Sequence, residues 1–559
     1  MANEPLIFGQ QIDTLSTLVE EGARATAQNV ARFIEPAPGT LRRAKSKRHH
    51  LIFGRRGSGK SSLLLKAGDE LEKANHPIAI VDLEPFKGHH YPDVLLSVLI
   101  ATLLKYELWL IDHKRGNRFR ELAKRLQFWK RKDPVTVATL HQEISKEISA
   151  LREQLHLADD AGLRTTTAHA RNEDWERRSR GKAGVSDDLV AAEIEQEIAA
   201  RVAANSTMEV VEESKRSKSD YLLRHIIDYQ RIFRELSRVS GYSSYLFLDD
   251  LYHLKREDQA SILDYFHRIA KNNNLWLKIG TIKNRSNWYR HDPQPLGLKI
   301  GDDADDINLD LTLEKFSSAR GFLLKILNSY ANDAEAPKVR DFVADGGVDR
   351  LVIASGGVTR DFLGLFRRSI DEARERLTQT PDHARGPKMG AEDVNVAAGS
   401  YGETKREEFE RDTLEDRARL EQMFEKIKAF CLEKNKANVF LVDQEATDEM
   451  HDTIQELVDL RLIHQIRSRV TEKTRTGKVF RALLLDISQY TGERMRRDIE
   501  MIEFWRPDNK EILRKAKYIF DPNQTLEEIQ ISAKADRKKV VEETKTKEFD
   551  DQISMDFGD

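Results

Sequence analysis

The chain has 559 residues, a third of them charged, with 91 basic against 94 acidic side chains and a net charge of −3. That length accommodates roughly two to four domains, and the near-neutral balance means that any nucleic-acid surface must be a local patch. One cysteine, Cys431, excludes disulfides and cysteine-ligated zinc, and the start of the chain has no signal-peptide pattern, so the expectation is a cytoplasmic protein with no membrane partner.

Residues 8–34 read as a weakly amphipathic helix, broken at Pro36, Pro38 and Gly39. A basic approach, Arg42 to His50, leads into a buried strand at His49 to Phe53. Then comes Gly54-Arg55-Arg56-Gly57-Ser58-Gly59-Lys60-Ser61-Ser62, with a helix expected from Ser62 to Leu71. Two glycines with four residues between them, followed by Lys and Ser between a strand and a helix, form a phosphate-binding loop. The glycines let backbone N–H groups turn toward phosphate, and the helix N-terminus adds partial positive charge. Lys60 would reach the β- and γ-phosphates, and the Ser61 hydroxyl would sit on Mg²⁺. Pro77 to Leu83 is a second strand, and Pro92 opens a helix to about Ile111. The apolar run Val94 to Leu104 is too short to span a bilayer and reads as a core helix.

Lys114 to Lys132 is strongly basic, with Phe119, Phe128 and Trp129 interleaved. It fits a nucleic-acid groove, and equally a helix whose aromatics pack inward. Apolar stripes at 137–157 and 189–204 suggest a helical hairpin, followed by a helix at 207–238. The stretch from 114 to 240 reads as an insertion.

Tyr245 to Asp250 is a buried strand ending in Asp249-Asp250, which a parallel sheet would deliver to its ligand-binding edge. Asp249 would hold the Mg²⁺ shell and Asp250 would orient or activate the attacking water. A helix at Arg256 to Asn272 and a strand at Leu275 to Ile282 follow, the strand ending in Lys283-Asn284-Arg285. Residues 314–333 and 337–378 are expected to be helical, with Ser355 to Asp361 opening a helix. A short helix is expected at Lys388 to Ala398.

From 413 to 490 the order is helix (Leu414 to Glu433), short strand, helix and β-hairpin, the order of a winged-helix module. Its presumed recognition helix is acidic, so any DNA contact falls to the basic hairpin, Arg467, Arg469, Lys473, Arg475 and Lys478; the same charges fit equally a hairpin that only pairs with the acidic helix. Residues 491–559 read as a charged tail, helical at first and disordered after about Pro522. The sequence shows no metal-ligand cluster and no nucleophile–base order.

In this order the motifs resemble AAA+ ATPases of the origin-recognition-complex and archaeal initiator type, over about 40–113 and 240–490. Gly54 to Ser61 matches the family's Walker A motif and Asp249-Asp250 its Walker B. Asn284 matches sensor 1, and Arg360, in Gly356-Gly357-Val358-Thr359-Arg360, matches sensor 2. The resemblance implies an α/β fold: a P-loop parallel-sheet core with a large helical insertion, a helical lid and a C-terminal winged helix. Its boundaries would be an N-terminal helical segment (1–39), a nucleotide-binding core (40–300, with the insertion), a lid (301–410), a winged helix (411–490) and the tail. ATP and Mg²⁺ would bind at Gly54, Gly57, Ser58, Gly59, Lys60, Ser61 and Ser62. Asp250, Asn284 and Arg360 would act on the γ-phosphate and water. Nucleotide state would control assembly into a homo-oligomer and binding to double-stranded DNA or an effector protein. The family usually has Asp-Glu where this chain has Asp-Asp. That departure keeps two other readings open: a signal-transduction switch in antiviral defence, and an ATP-binding loader with little hydrolysis.

Overall fold

The computed structural model describes residues 5–26, 30, 32–116, 136–156, 208–291, 293–379, 385–412, 417–445, 447–472, 475, 477–492, 499–506, 509 and 511–535. Most of the basic segment Lys114 to Lys132, the stripe at 189–204, Lys473 and the end of the tail lie outside the described residues. The chain divides into two compact units. One, the sheet unit, comprises Ala37–Phe53 and Lys60–Asn308. The other, the helical unit, comprises Met1–Pro36, Gly54–Gly59 and Leu309–Asp559.

The sheet unit is an α/β fold. Strands β1 (His49–Phe53), β2 (Ile78–Asp82), β3 (Ser244–Asp249) and β4 (Leu275–Thr281) form a parallel sheet. A two-stranded ribbon, β5 (Tyr289–Arg290) with β6 (Leu296–Gly297), precedes the fifth sheet strand, β7 (Ala304–Asn308). The sheet order is β2-β3-β4-β1-β7. β1 and β3 are buried at every position, as inner strands of a parallel sheet must be. β7 is a strand the sequence reading missed. Its residues are Ala-Asp-Asp-Ile-Asn, with only Ala304 and Ile307 buried, so an edge strand with two inward side chains reads as a polar loop.

The helix Asp93–Gly116 is longer than expected. Its stretch Asp93–Asp112 is long and apolar enough to cross a membrane, but 78% of that stretch is buried within the fold. It packs on β2 and on the helix Val137–His156, whose Leu140, Ile144, Ile148 and Leu151 face inward at helical spacing.

Away from the carboxyl ends of the strands, the sheet encloses a basic group. Lys278 of β4 is fully buried, donates to the Ser46 carbonyl (2.8 Å) and the Arg48 carbonyl (2.7 Å), and lies 2.9 Å from His50 Nδ1, which is itself 3.1 Å from the Arg48 carbonyl. His49 Nδ1 accepts from the Leu277 N–H at 3.0 Å. His49, accepting through Nδ1, is therefore neutral. Burial first, then neighbouring cations including Lys278, pulls each histidine from 6.5 to about 3.

In the helical unit the N-terminal helix is Gln10–Glu21, shorter than the expected 8–34. Its buried stripe of Ile12, Leu15 and Val19 stops before Gly22, where a Cβ would collide with the Tyr330 ring. The expected helix at 337–378 is three: Val339–Phe342, Asp345–Ala354 and Thr359–Gln379. Gly356 and Gly357, at φ +57° and +82°, separate the last two, a backbone region that glycine enters without steric cost. The expected short helix at 388–398 is Ala391–Asp412. The helix expected from Leu414 is described over Arg417–Ala429 and ends in a wider turn at Phe430–Lys434.

β8 (Val439–Asp443), the helix Asp448–Asp459, β9 (Ile463–Thr471) and β10 (Val479–Leu485) follow, with antiparallel order β8-β10-β9. The next segment differs from the helical tail expected at 491 onward. Up to residue 525 its described residues hold short turns and run along the free edge of β8: Ala437 bridges Glu500, Leu441 bridges Ile519, and Phe520 is buried against Phe430 and Phe440. Residues 526–535, where disorder is expected after about Pro522, are instead helical and bury Ile529 and Ala533. An open strand edge is a pairing hazard, and this segment covers it. The charge of the segment hid Tyr518, Phe520 and Ile529, all three buried.

Acid should loosen the sheet unit through His49 and His50. Below 6.5 the unfolded chain protonates both rings, whereas the folded chain resists down to about 3, so stability falls as pH drops through that window. The thermal midpoint measured from pH 7 to pH 4 should decline less steeply in His49→Gln/His50→Gln than in the wild type.

Candidate functional site

β1 runs into the loop Gly54–Gly59, and the chain continues at Lys60 as the first residue of the helix Lys60–Lys73. Gly57 and Gly59 have φ of +83° and +100°. A Cβ at Gly54 would collide with Ser58, whose hydroxyl is buried without a hydrogen-bond partner. This loop has the left-handed glycines that a phosphate cradle uses and a hydroxyl in need of a partner.

Within the sheet unit, β4 lies between β1 and β3. Asp249 is the last residue of β3, and the Ser61 hydroxyl donates to its carboxylate. Gly280 of β4 makes room for that carboxylate, since a Cβ there would lie 2.5 Å from Asp249 Oδ1. Burial, and then the charge of Asp250, pushes the Asp249 carboxyl up to about 7. Asp82, paired in register with Asp249 at the end of β2, is also raised, by burial and then by Asp250 and Glu84. A hydroxyl, one buried carboxyl and a second, exposed carboxyl beside it are an oxygen donor set that Mg²⁺ could take, its charge favouring their ionised forms.

Asp250 has a left-handed backbone (φ +56°), and its carboxylate stands 3.8 Å from Lys60 Nζ. Tyr252 lies under two cations, with Lys60 Nζ and the Arg285 guanidinium each 5.6 Å from its ring centre. Tyr252 was missed in the sequence, and its only signal was its place two residues after the acidic pair. Asn284 sits in the turn Lys283–Arg285 that leaves β4, and Arg256 bonds its carbonyl. Ser62, next to Ser61 in the helix, is half-buried.

Within the helical unit, the loop meets the start of the helix Thr359–Gln379. The Arg360 N–H donates to the Gly57 carbonyl at 3.2 Å. A Cβ at Gly57 would lie 2.7 Å from Arg360 Cβ, so the two segments touch. Arg55 was also passed over in the sequence. It is almost fully buried: its N–H and Nε donate to Asp310 Oδ1 (2.8 and 3.2 Å), and its Nη2 donates to the Leu311 and Gly356 carbonyls (2.9 Å each).

At the hairpin, Arg469, Arg475 and Lys478 are exposed and Arg467 is half-buried. Lys478 pairs with Asp443 at 2.8 Å. The acidic helix Asp448–Asp459 packs its second half inside the chain: Glu456 and Asp459 are buried, and Arg419 reaches Glu456 (3.3 Å) and the Thr453 hydroxyl. Glu445, Asp448, Glu449 and Asp452 remain at the surface.

No protein-family model matches the chain, and no curated protein does. Among solved structures that match is the ORC1 protein of Aeropyrum pernix in complex with DNA. It is 14% identical, covers 87% of this chain and 93% of its own, and has a TM-score of 0.26. That likeness is too slight to carry fold or function.

Gly280→Ala should destabilise the sheet unit by about 1–3 kcal/mol, because the added methyl displaces a buried carboxylate. In an Asp249→Ala background the same change should cost much less, read as the difference in thermal midpoints.

Proposed function

We propose that the chain is an Mg²⁺-dependent ATPase of the AAA+ type, whose nucleotide state governs assembly and binding to double-stranded DNA or a protein effector. The observation that carries the first part is the meeting of Lys60 and Ser61, at the head of a helix, with Asp249 and Asp250, at the end of β3. Lys60 neutralises charge on the β- and γ-phosphates, and the loop N–H groups and Ser58 hold their oxygens. Mg²⁺, when bound, neutralises further phosphate charge; Ser61 and Asp249 would hold it. Asp250 takes or orients the proton of the attacking water, Asn284 polarises that water or the γ-phosphate, and Arg360 senses the γ-phosphate. Positioning and charge neutralisation suffice for phosphoryl transfer, so no covalent nucleophile is needed.

Asp250 also favours slow turnover. Its carboxylate is one methylene shorter than glutamate and stands beside Lys60. A slow ATPase that switches state, as in a defence sensor or a loader, follows from the same residues. The DNA part of the proposal rests on the exposed arginines of the hairpin.

Lys60→Ala should abolish binding of a fluorescent ATP analogue, whereas Asp250→Asn should bind it and hydrolyse ATP at least about tenfold more slowly. Equal affinity in wild type and Lys60→Ala overturns the site. Arg469→Glu/Arg475→Glu should remove retention on duplex DNA, and the salt dependence of wild-type binding should show those phosphate contacts. Unchanged retention assigns DNA binding elsewhere or nowhere.

A further inference from the structure

Arg55 is the second residue of the phosphate-binding loop, where the motif demands no particular side chain. Here it is a buried cation with three acceptors: Asp310 and the carbonyls of Leu311 and Gly356. Such bonds to a buried guanidinium are among the stronger kind. The loop's conformation is therefore tied to the position of the Gly356 carbonyl.

Gly356 is in turn pressed from behind. A Cβ at Gly356 would collide with the His464 ring. His464 belongs to β9, and its Nε2 donates to Asp486 Oδ2 at 2.7 Å. Its Nδ1 is buried with no hydrogen-bond partner, facing Gly356. Asp486 closes β10 and is held by Lys405 Nζ (2.6 Å) and by the Ser488 N–H and hydroxyl. Lys405 also donates to the Ala354 carbonyl at 3.3 Å, just before the glycine turn. Lys405, His464 and Asp486 are all almost fully buried. Burial of an ion pair with an imidazole is costly unless the geometry is tight, and here it ends on an unsatisfied ring nitrogen. Replacing a buried ion pair by well-packed apolar residues is often neutral for stability, so stability alone does not call for this network.

We propose that Arg55, Gly356 and His464 form a positioning relay that couples the base of the β9–β10 hairpin to the phosphate-binding loop, with Asp486 and Lys405 as its fixed end. It rests on the phosphate-binding reading above. The relay works by contact: the ring sets the Gly356 carbonyl, the carbonyl holds Arg55, and Arg55 holds the loop. The same turn carries Arg360, whose N–H grips Gly57, so one displacement moves both partners of the loop. By thermodynamic reciprocity, a ligand on the hairpin and ATP on the loop would then change each other's affinity by the same factor.

The test is a double-mutant cycle in the full chain, read as the dissociation constant of a fluorescent ATP analogue, with thermal midpoints recorded. Arg55→Met should weaken binding about tenfold, the loss of a charged hydrogen-bond set. Gly356→Ala should weaken it at least as much, by driving the ring and carbonyl apart. His464→Ala should weaken it about threefold. Gly356→Ala/His464→Ala should recover most of the Gly356→Ala loss, because the methyl then has room. Backbone strain at φ +57° alone would persist in the pair. The relay is overturned if Gly356→Ala costs the same factor with and without His464. If Gly356→Ala does not fold, Arg55→Met and His464→Ala with their pair decide the matter, additive losses overturning the relay. No ATP binding by the wild type overturns the phosphate-binding reading and the relay together. Binding that Lys60→Ala abolishes and the relay variants leave unchanged overturns the relay alone.

Discussion

Three carboxyl groups crowd the ends of β2 and β3. Asp82 and Asp249 lie in register, and Asp250 follows. Burial and mutual repulsion hold the first two toward their protonated forms, and Asp249 reaches about 7. Clustered acids in a low-dielectric site need positive charge to ionise together. Lys60 supplies part of it at 3.8 Å from Asp250, and Ser61 supplies a hydrogen bond. Much of the sheet unit serves that cluster: Gly280 is small because the Asp249 carboxylate occupies its side-chain space, and the strand order puts β4 beside it.

The helical unit solves a second problem, that of holding a glycine-rich loop in one shape. Glycines lose much conformational freedom on ordering, so such a loop needs outside support. Arg55 bonds to Asp310, Leu311 and Gly356, and Arg360 bonds to Gly57. Those partners come from chain segments some 250 to 300 residues later. Folding of the loop therefore depends on the far half of the sequence, and that dependence makes it responsive to events there.

The elements that were legible in the sequence are those with strong local patterns. The buried runs of β1, β3 and β4 and the glycine spacing of the loop name a strand–loop–helix and an acidic strand end without any tertiary information. β7 was not legible, because two buried side chains in an acidic pentapeptide make no pattern. Nor was the cover over β8, because the run Tyr518-Ile519-Phe520 is too short to show a period within a charged stretch. The acidic helix Asp448–Asp459 looked uniformly repulsive to DNA, yet its second half is turned into the chain, where Arg419 answers Glu456.

The sequence by itself determined the members of the proposed phosphate and Mg²⁺ site, since glycine permissiveness, a lysine and strand-terminal acids are properties of short segments. Tertiary structure alone decided which cations those acids face, what clamps the loop and what lies behind Gly356. Tyr252 between Lys60 and Arg285, Arg55 on Asp310, and His464 against Gly356 are pairings across long stretches of chain or across a turn. Spacing along a chain cannot report them, because desolvation and contact are properties of the folded interior.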